Sequence, residues 1–504
     1  MAAREKDVAC AQSEVRVERE ARGKGEARPE SEACTECGTR AKGEARPESE
    51  ACTECGTRAK GEARAEELIE FIESCPSMFH TAATISGRLD AAGFTYLSEG
   101  AAWELARGGR YYTVRNNSSV IAWQVGADVP EAGEGGLATH FQLCASHSDS
   151  PTFKLKSVPE LEGPGSYLRL DTEAYGGMID YTWFDRPLGI AGRVLVREGT
   201  RVESRLVAPD RDLAIIPSVP IHMQRDVNDG FAPNRARDLC PLVSIGALGK
   251  GSLDELLAAE LGVEPEQILA RDLFLVNRQP GRVWGAAQEF VSVPKLDDLA
   301  CAFTSLEAFL GSENAADVSV YACFDNEEVG SNTKQGAMST FLRDTLARVV
   351  AGLGGSEEDY HRALACSMLV SCDNAHGTHP NRPDLHDSAN APVLGGGLVV
   401  KEAANQKYCT DAFSRAALLA VCADAGVPTQ TFANRSDMAG GSTLGNLSNI
   451  QASMHAVDVG LPQLAMHSSY ETGAVADVEL AIRALRAFYN ANLAIDGADA
   501  VTIR

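Results

Sequence analysis

A strand-like apolar run, Val318-Ser-Val-Tyr-Ala-Cys-Phe324, ends in Asp325-Asn-Glu-Glu-Val-Gly330. Two adjacent glutamates at a strand end constrain the fold more than any other feature of the chain. Neighbouring side chains there point in different directions, so Glu327 and Glu328 can take separate tasks. Buried together without cations, they would lose hydration and repel each other. A metal removes both costs if one glutamate ligates it and the other accepts a proton from its water. The ordinary alternative is a solvated acidic turn. The choice depends on whether other strand ends supply further ligands.

The surrounding pattern reads as α/β. Leu299, Ala302, Phe303, Leu306 and Leu310 recur at helical spacing before the Val318–Phe324 run. Phe341, Leu342, Leu346 and Val349 do so after it, and Ser367-Met-Leu-Val-Ser371 reads as another strand. A helix with Val478, Ile482, Leu485 and Tyr489 on its apolar face is expected to close the chain. Such alternation predicts a sheet with helices on both faces and a site at its strand ends. From about Thr152 to Gln288, short β-rich segments such as Gly192-Arg-Val-Leu-Val-Arg197 alternate with Gly, Pro and Asp, predicting a smaller β domain inserted into the larger one. The expected divisions are 1–64, 65–153, 154–288 and 289–504.

Residues 1–64 contain only Met1, Val8, Val15 and Val17 as large apolar residues, and 13 basic against 14 acidic side chains. They cannot build a core and read as a disordered leader. Gly25–Lys42 repeats letter for letter as Gly43–Lys60, giving Cys34-x-x-Cys37 and Cys52-x-x-Cys55. Four such thiolates resemble a zinc ribbon. The repeat offers no hydrophobic residues to surround a metal, however, and reads as a recent duplication or an over-extended start. Order is expected from Ala65, where Leu68, Phe71, Ile72 and Cys75 begin a helical pattern. At 504 residues two folded domains are the default. A net charge of −24 argues against nucleic-acid and anionic-membrane partners. Scattered single cysteines and the lack of a signal-peptide core point to reduced thiols and a cytoplasmic location.

Five strand-end positions carry metal-ligand side chains: His147, Asp297, Glu328, Asp373 and His467. Each has an ordinary reading alone: a rim histidine, a helix N-cap for Asp297, a turn for Asp373. Together, two histidines and three carboxylates match a two-cation N/O site with one shared carboxylate.

Here the chain resembles the aspartyl aminopeptidases, two-metal enzymes that assemble into dodecamers. The resemblance covers essentially all of 65–504. It rests on Ser146-His-Ser-Asp-Ser-Pro151, Ala174-Tyr-Gly-Gly177, Thr182-Trp-Phe-Asp-Arg186, Ile221-His-Met-Gln-Arg225, Lys295-Leu-Asp-Asp-Leu299, Asp325-Asn-Glu-Glu-Val-Gly330, Asp373-Asn-Ala-His-Gly-Thr-His-Pro-Asn381 and Gln463-Leu-Ala-Met-His-Ser468. It implies a catalytic α/β domain with a mixed central sheet and an inserted β-rich dimerisation domain. It further implies that Asp297 bridges two divalent metals, His147 and Asp373 completing one and Glu328 and His467 the other. Glu327 would be the general base, and Asp149 would orient the His147 imidazole. Zinc fits the mixed ligands, and manganese or cobalt are the other candidates.

The same resemblance implies that Lys401, with Tyr408 nearby, faces an acidic N-terminal side chain of a peptide substrate. His222 would reach into a partner subunit's site, and His379 would lie on the substrate side. The leader has no counterpart in the family. Segment 381–387 and the residues inside Asn434-Arg-Ser-Asp-Met-Ala-Gly-Gly-Ser-Thr443 differ in type, which leaves the acidic preference open. The alternatives are broad or neutral N-terminal specificity, a deacylase or carboxypeptidase using the same metal site, and a shell-forming scaffold without catalysis.

Overall fold

A computed structural model describes residues 48–504, with side chains from 61 onward; most of the leader, with Cys34 and Cys37 of the four-cysteine repeat, lies outside the described residues, and Cys52 and Cys55 fall where side chains are not described. The first helix, Glu48–Glu73, starts upstream of Ala65, where order was expected to begin. Its amino-terminal half is rich in Glu, Ala, Arg and Lys, which are good helix formers, and extending a packed helix is cheap once it is nucleated. Its last turns are held by Leu68, Phe71 and Ile72, all buried.

Nine strands form the main sheet, in the order Thr95–Tyr96, Arg110–Arg115, Ser119–Val125, Val318–Phe324, Phe141–His147, Met368–Cys372, His455–Gly460, Leu398–Glu402 and Thr429–Ala433. The four strands from Val318–Phe324 to His455–Gly460 run parallel, and antiparallel strands flank them. The sheet is mixed, as expected. Its central runs are apolar throughout because both faces are covered. Cys144, Tyr321, Cys323 and Val370 pack against the helices Leu296–Leu310 and Val475–Asn490 on one face. Leu143, Ala145, Val320 and Ala322 pack against Phe341–Gly352 on the other.

Register places the site. Phe324 lies opposite His147 and Ser371 opposite Ala145, so the residues following all three strands emerge at one edge.

A second, six-stranded sheet is built wholly from residues between Thr152 and Asn277, with its own apolar core around Phe153, Trp183, Val194 and Leu273. A five-stranded sheet joins Arg282–Trp284, Phe290–Val293, Glu471–Ala474, Pro462–Leu464 and Ala375–His376. The chain does not close with its last helix. A hairpin, Leu493–Asp496 with Ala500–Ile503, follows it, and Gly497 turns it at φ 57°. The Asp496-Gly497 pair is a hairpin signal that the helical pattern before it obscured. All nine cysteines among residues with described side chains are free thiols, and seven of them are buried.

Candidate metal centre

His147 ends its strand, and its ring is fixed from one side. Nδ1 lies 3.0 Å from the Asp149 carbonyl oxygen and 3.5 Å from Asp149 Oδ1, leaving Nε2 to face the cluster. Asp149 also accepts the backbone N–H groups of Glu327 at 3.1 Å and Glu328 at 3.2 Å. Tyr175 donates its hydroxyl to Asp149 Oδ2 at 2.8 Å. One carboxylate thus ties the His147 strand to the Glu-Glu turn. That turn follows Asn326 at φ 66°. Gly176, at φ 79°, lets the backbone pass so close that a Cβ there would stand 3.0 Å from Glu328 Cβ.

Asp297 precedes the regular turns of its helix, with φ −85° and ψ 112°, and its carboxylate turns toward two imidazoles rather than capping those turns. Its Oδ1 lies 3.6 Å from His147 Nε2, and its Oδ2 lies 3.6 Å from His467 Nε2. His467 Nε2 is 3.5 Å from Glu328 Oε1, and its Nδ1 is held by the Gly177 carbonyl oxygen. Asp373 is buried at the edge, with its N–H donated to Val459 O at 2.9 Å. The structure therefore brings together His147, Asp297, Asp298 and Asp373 as one group of donors within 4.8 Å of one another, and Asp297, Glu328 and His467 as a second. Glu327 joins His147 and Glu328 in a third.

The donor set fits divalent cations. Asp297 Oδ1 and Glu328 Oε1 are buried with no hydrogen-bond partner, a costly state for carboxylate oxygens unless a cation meets them. Two donors each about 2.0–2.1 Å from a tetrahedral zinc stand about 3.3–3.4 Å apart, close to the gaps observed here. Electrostatics agrees. Burial, reinforced by Asp373, Asp149 and Asp297 and opposed by His147, pushes Glu327 up to about 8. Burial raises Glu328 and Asp373 as well. Asp297 alone is held below the usual carboxylate range, because the two imidazoles outweigh its burial. The edge gathers more negative charge than its histidines balance.

The remaining expected residues fall in different places. Lys401 is buried; its Nζ donates to Asp373 O at 2.6 Å and lies 3.6 Å from Asp373 Oδ1. The same Nζ is 5.2 Å from the centre of the Tyr408 ring. The ammonium faces an acid of the cluster, because a charge at that depth requires a counter-charge. His222 is exposed, outside its own subunit's donor groups. His379 is also exposed; its Nδ1 accepts from Asn381 N at 3.2 Å. Two acids of this region were missed in the sequence. Asp298 accepts the His147 N–H at 3.1 Å, and its signal was the second Asp of Leu296-Asp-Asp-Leu299. Glu471, four residues past His467, matches no ligand spacing.

A carboxylate–histidine cluster at the carboxyl edge of a parallel strand set is the donor set of a metal centre in an α/β protein. Comparison with known proteins names the kind. Residues 71–489 match the family model described as aminopeptidase I zinc metalloprotease (M18). A probable M18 family aminopeptidase 2 of Clostridium acetobutylicum is 41% identical over 432 residues, covering 84% of this chain and 98% of the relative. Its counterpart in Pseudomonas aeruginosa PAO1 is 39% identical over 427 residues, covering 84% and 97%. Among solved structures, Ape4 in complex with Nbr1 aligns with a TM-score of 0.81 at 33% identity, covering 86% of each chain. The S. cerevesiae mApe1 dodecamer aligns at 0.74 and 28% identity, covering 85% of this chain and 96% of the other. The chain belongs to the M18 aminopeptidase family, and it is a metallo-aminopeptidase.

Proposed function

We propose that this aminopeptidase holds two divalent cations per subunit, zinc in preference to manganese or cobalt, and releases N-terminal Asp or Glu from peptides. The observation that carries the two-cation reading is Asp297, which belongs to both donor groups and turns one oxygen toward each histidine. His147 and Asp373 would hold one ion with it, Glu328 and His467 the other. Bound there, the cations would acidify water and polarise the scissile carbonyl. Glu327 accepts the water's proton and returns it to the leaving amine. Asp149 keeps that base and the His147 ring in place through the hydrogen bonds described above.

The β-rich segment 154–288 serves dimerisation, and dimers build a larger assembly in which His222 reaches a partner's site. Lys401, with Tyr408 beside it, supplies the positive charge for an acidic side chain, and His379 lies on the substrate side. A second reading, broad or neutral specificity, is favoured by one observation: the Lys401 ammonium already faces Asp373.

Hydrolysis of chromogenic amides bearing N-terminal Asp, Glu, Leu, Ala or Lys, with and without chelator, tests these readings. Chelator-sensitive cleavage led by Asp and Glu is expected. Sensitive cleavage led by Leu or Ala would establish the second reading. No cleavage by metal-loaded protein would overturn both.

A further inference from the structure

Glu471 touches neither Glu327 nor the Glu-Glu turn, yet it grips two of the donors. It is 1% exposed. Its Oε2 accepts the backbone N–H of Asp297 at 2.9 Å, and its Oε1 accepts that of His467 at 2.6 Å. Gln463 Nε2 lies 3.4 Å from the same Oε1. The strand Glu471–Ala474 sits between Phe290–Val293, which leads toward Asp297, and Pro462–Leu464, which leads toward His467. The acid therefore stands where both segments leave the five-stranded sheet.

We propose that Glu471 is a positioning residue that locks Asp297 to His467 and so sets the affinity of the cation position those two share with Glu328. This inference rests on the two-cation reading above. A carboxyl group offers a separate oxygen to each of the two N–H groups. An amide offers one oxygen, and its NH2 would face a donor at the other. Losing one bond frees either the bridging aspartate or the histidine. The position held by His147 and Asp373 shares only Asp297 with this clamp, so the effect falls mainly on one of the two ions. The pairing with Asp149 is instructive. Each of these acids accepts two backbone N–H groups, and each joins residues that lie far apart in sequence.

The test compares the full chain with Glu471→Gln, both stripped of metal and titrated with Zn2+ against a chromogenic chelator. Two tight ions are expected in the parent and one in the variant, the second ion being weakened by about 10- to 100-fold. Turnover of E471Q should return as Zn2+ is raised, with KM for the amide unchanged, which a general loss of structure would not produce. Two ions at parental affinity, or equal weakening of both, overturns the inference. A parent that binds a single ion overturns the two-cation reading, and this inference with it. Far-UV circular dichroism checks folding. If E471Q does not fold, Glu471→Asp, which keeps the charge but shortens the reach, is read in the same way.

Discussion

Lys401 poses the sharpest question at the scale of single residues, because its ammonium can serve either a substrate or a ligand. As a substrate contact, Lys401→Met should raise KM for Asp and Glu amides by about 10-fold or more, in keeping with a lost charge-assisted hydrogen bond of about 1.5–3 kcal/mol, and leave Leu amides alone. As the counter-charge of Asp373, the same change should weaken metal retention and slow every amide alike. Amide kinetics measured beside metal content separate the two, and the acidic preference predicts the first. The candidate ligands and the candidate base were legible in the sequence because each follows an apolar run, where an unpaired charge is penalised. The tasks of Asp298 and Glu471 were not legible. Asp298 acts on a backbone N–H 151 positions away, and Glu471 on one 174 positions away besides that of nearby His467, and no local spacing encodes the long-range bonds.

Among the elements, strands buried on both faces and helices with one apolar stripe were readable from periodicity alone, which is why Val318–Phe324 and Val475–Asn490 came out close to their observed bounds. The terminal hairpin and the early start of the first helix were not, since two short strands and a polar helix leave little apolar signal. Asp477, in the first turn of Val475–Asn490, shows what an element asks of one side chain. It is buried and accepts the N–H groups of Gly395 at 2.7 Å and Gly397 at 2.9 Å. Burial raises its pKa to about 6, with those two bonds opposing. A carboxyl raised on folding stabilises fully below its unfolded value of 3.8, and that contribution is lost as pH rises through about 6. The loss is at most about 3 kcal/mol at about 1.4 kcal/mol per unit. Asp477→Asn should therefore flatten the fall in thermal stability between about pH 4 and 7. A melting profile with the parental slope across that window would assign the pH dependence elsewhere.

For the molecule as a whole, three sheets divide the work: one carries the His147, Glu328 and Asp373 strand ends, one adjoins the Asp297 and His467 segments, and one, of six strands, packs around its own apolar core. No helix among the described residues is long and apolar enough to cross a membrane. The assembly reading makes a prediction that a single subunit cannot satisfy. Glu327→Gln should cost about 10²- to 10⁴-fold in turnover, and His222→Ala about 10²- to 10³-fold if it stabilises the reacting carbonyl. Co-assembled, the E327Q subunit lends its His222 to a neighbour whose Glu327 is intact, so the mixture should exceed the sum of its parts. A mixture no more active than the average of the two would place the work of His222 within its own subunit, or nowhere. The seven buried thiols have a practical consequence of another kind. Six of them, among them Cys144, Cys323 and Cys422, lie in the apolar layer on one face of the main sheet, and a thiol-reactive dye reaches these only when the surrounding structure opens. Where dye attack outpaces reclosing, the slow phase of labelling is then a clock for unfolding, so the protein carries a built-in reporter of its own kinetic lifetime.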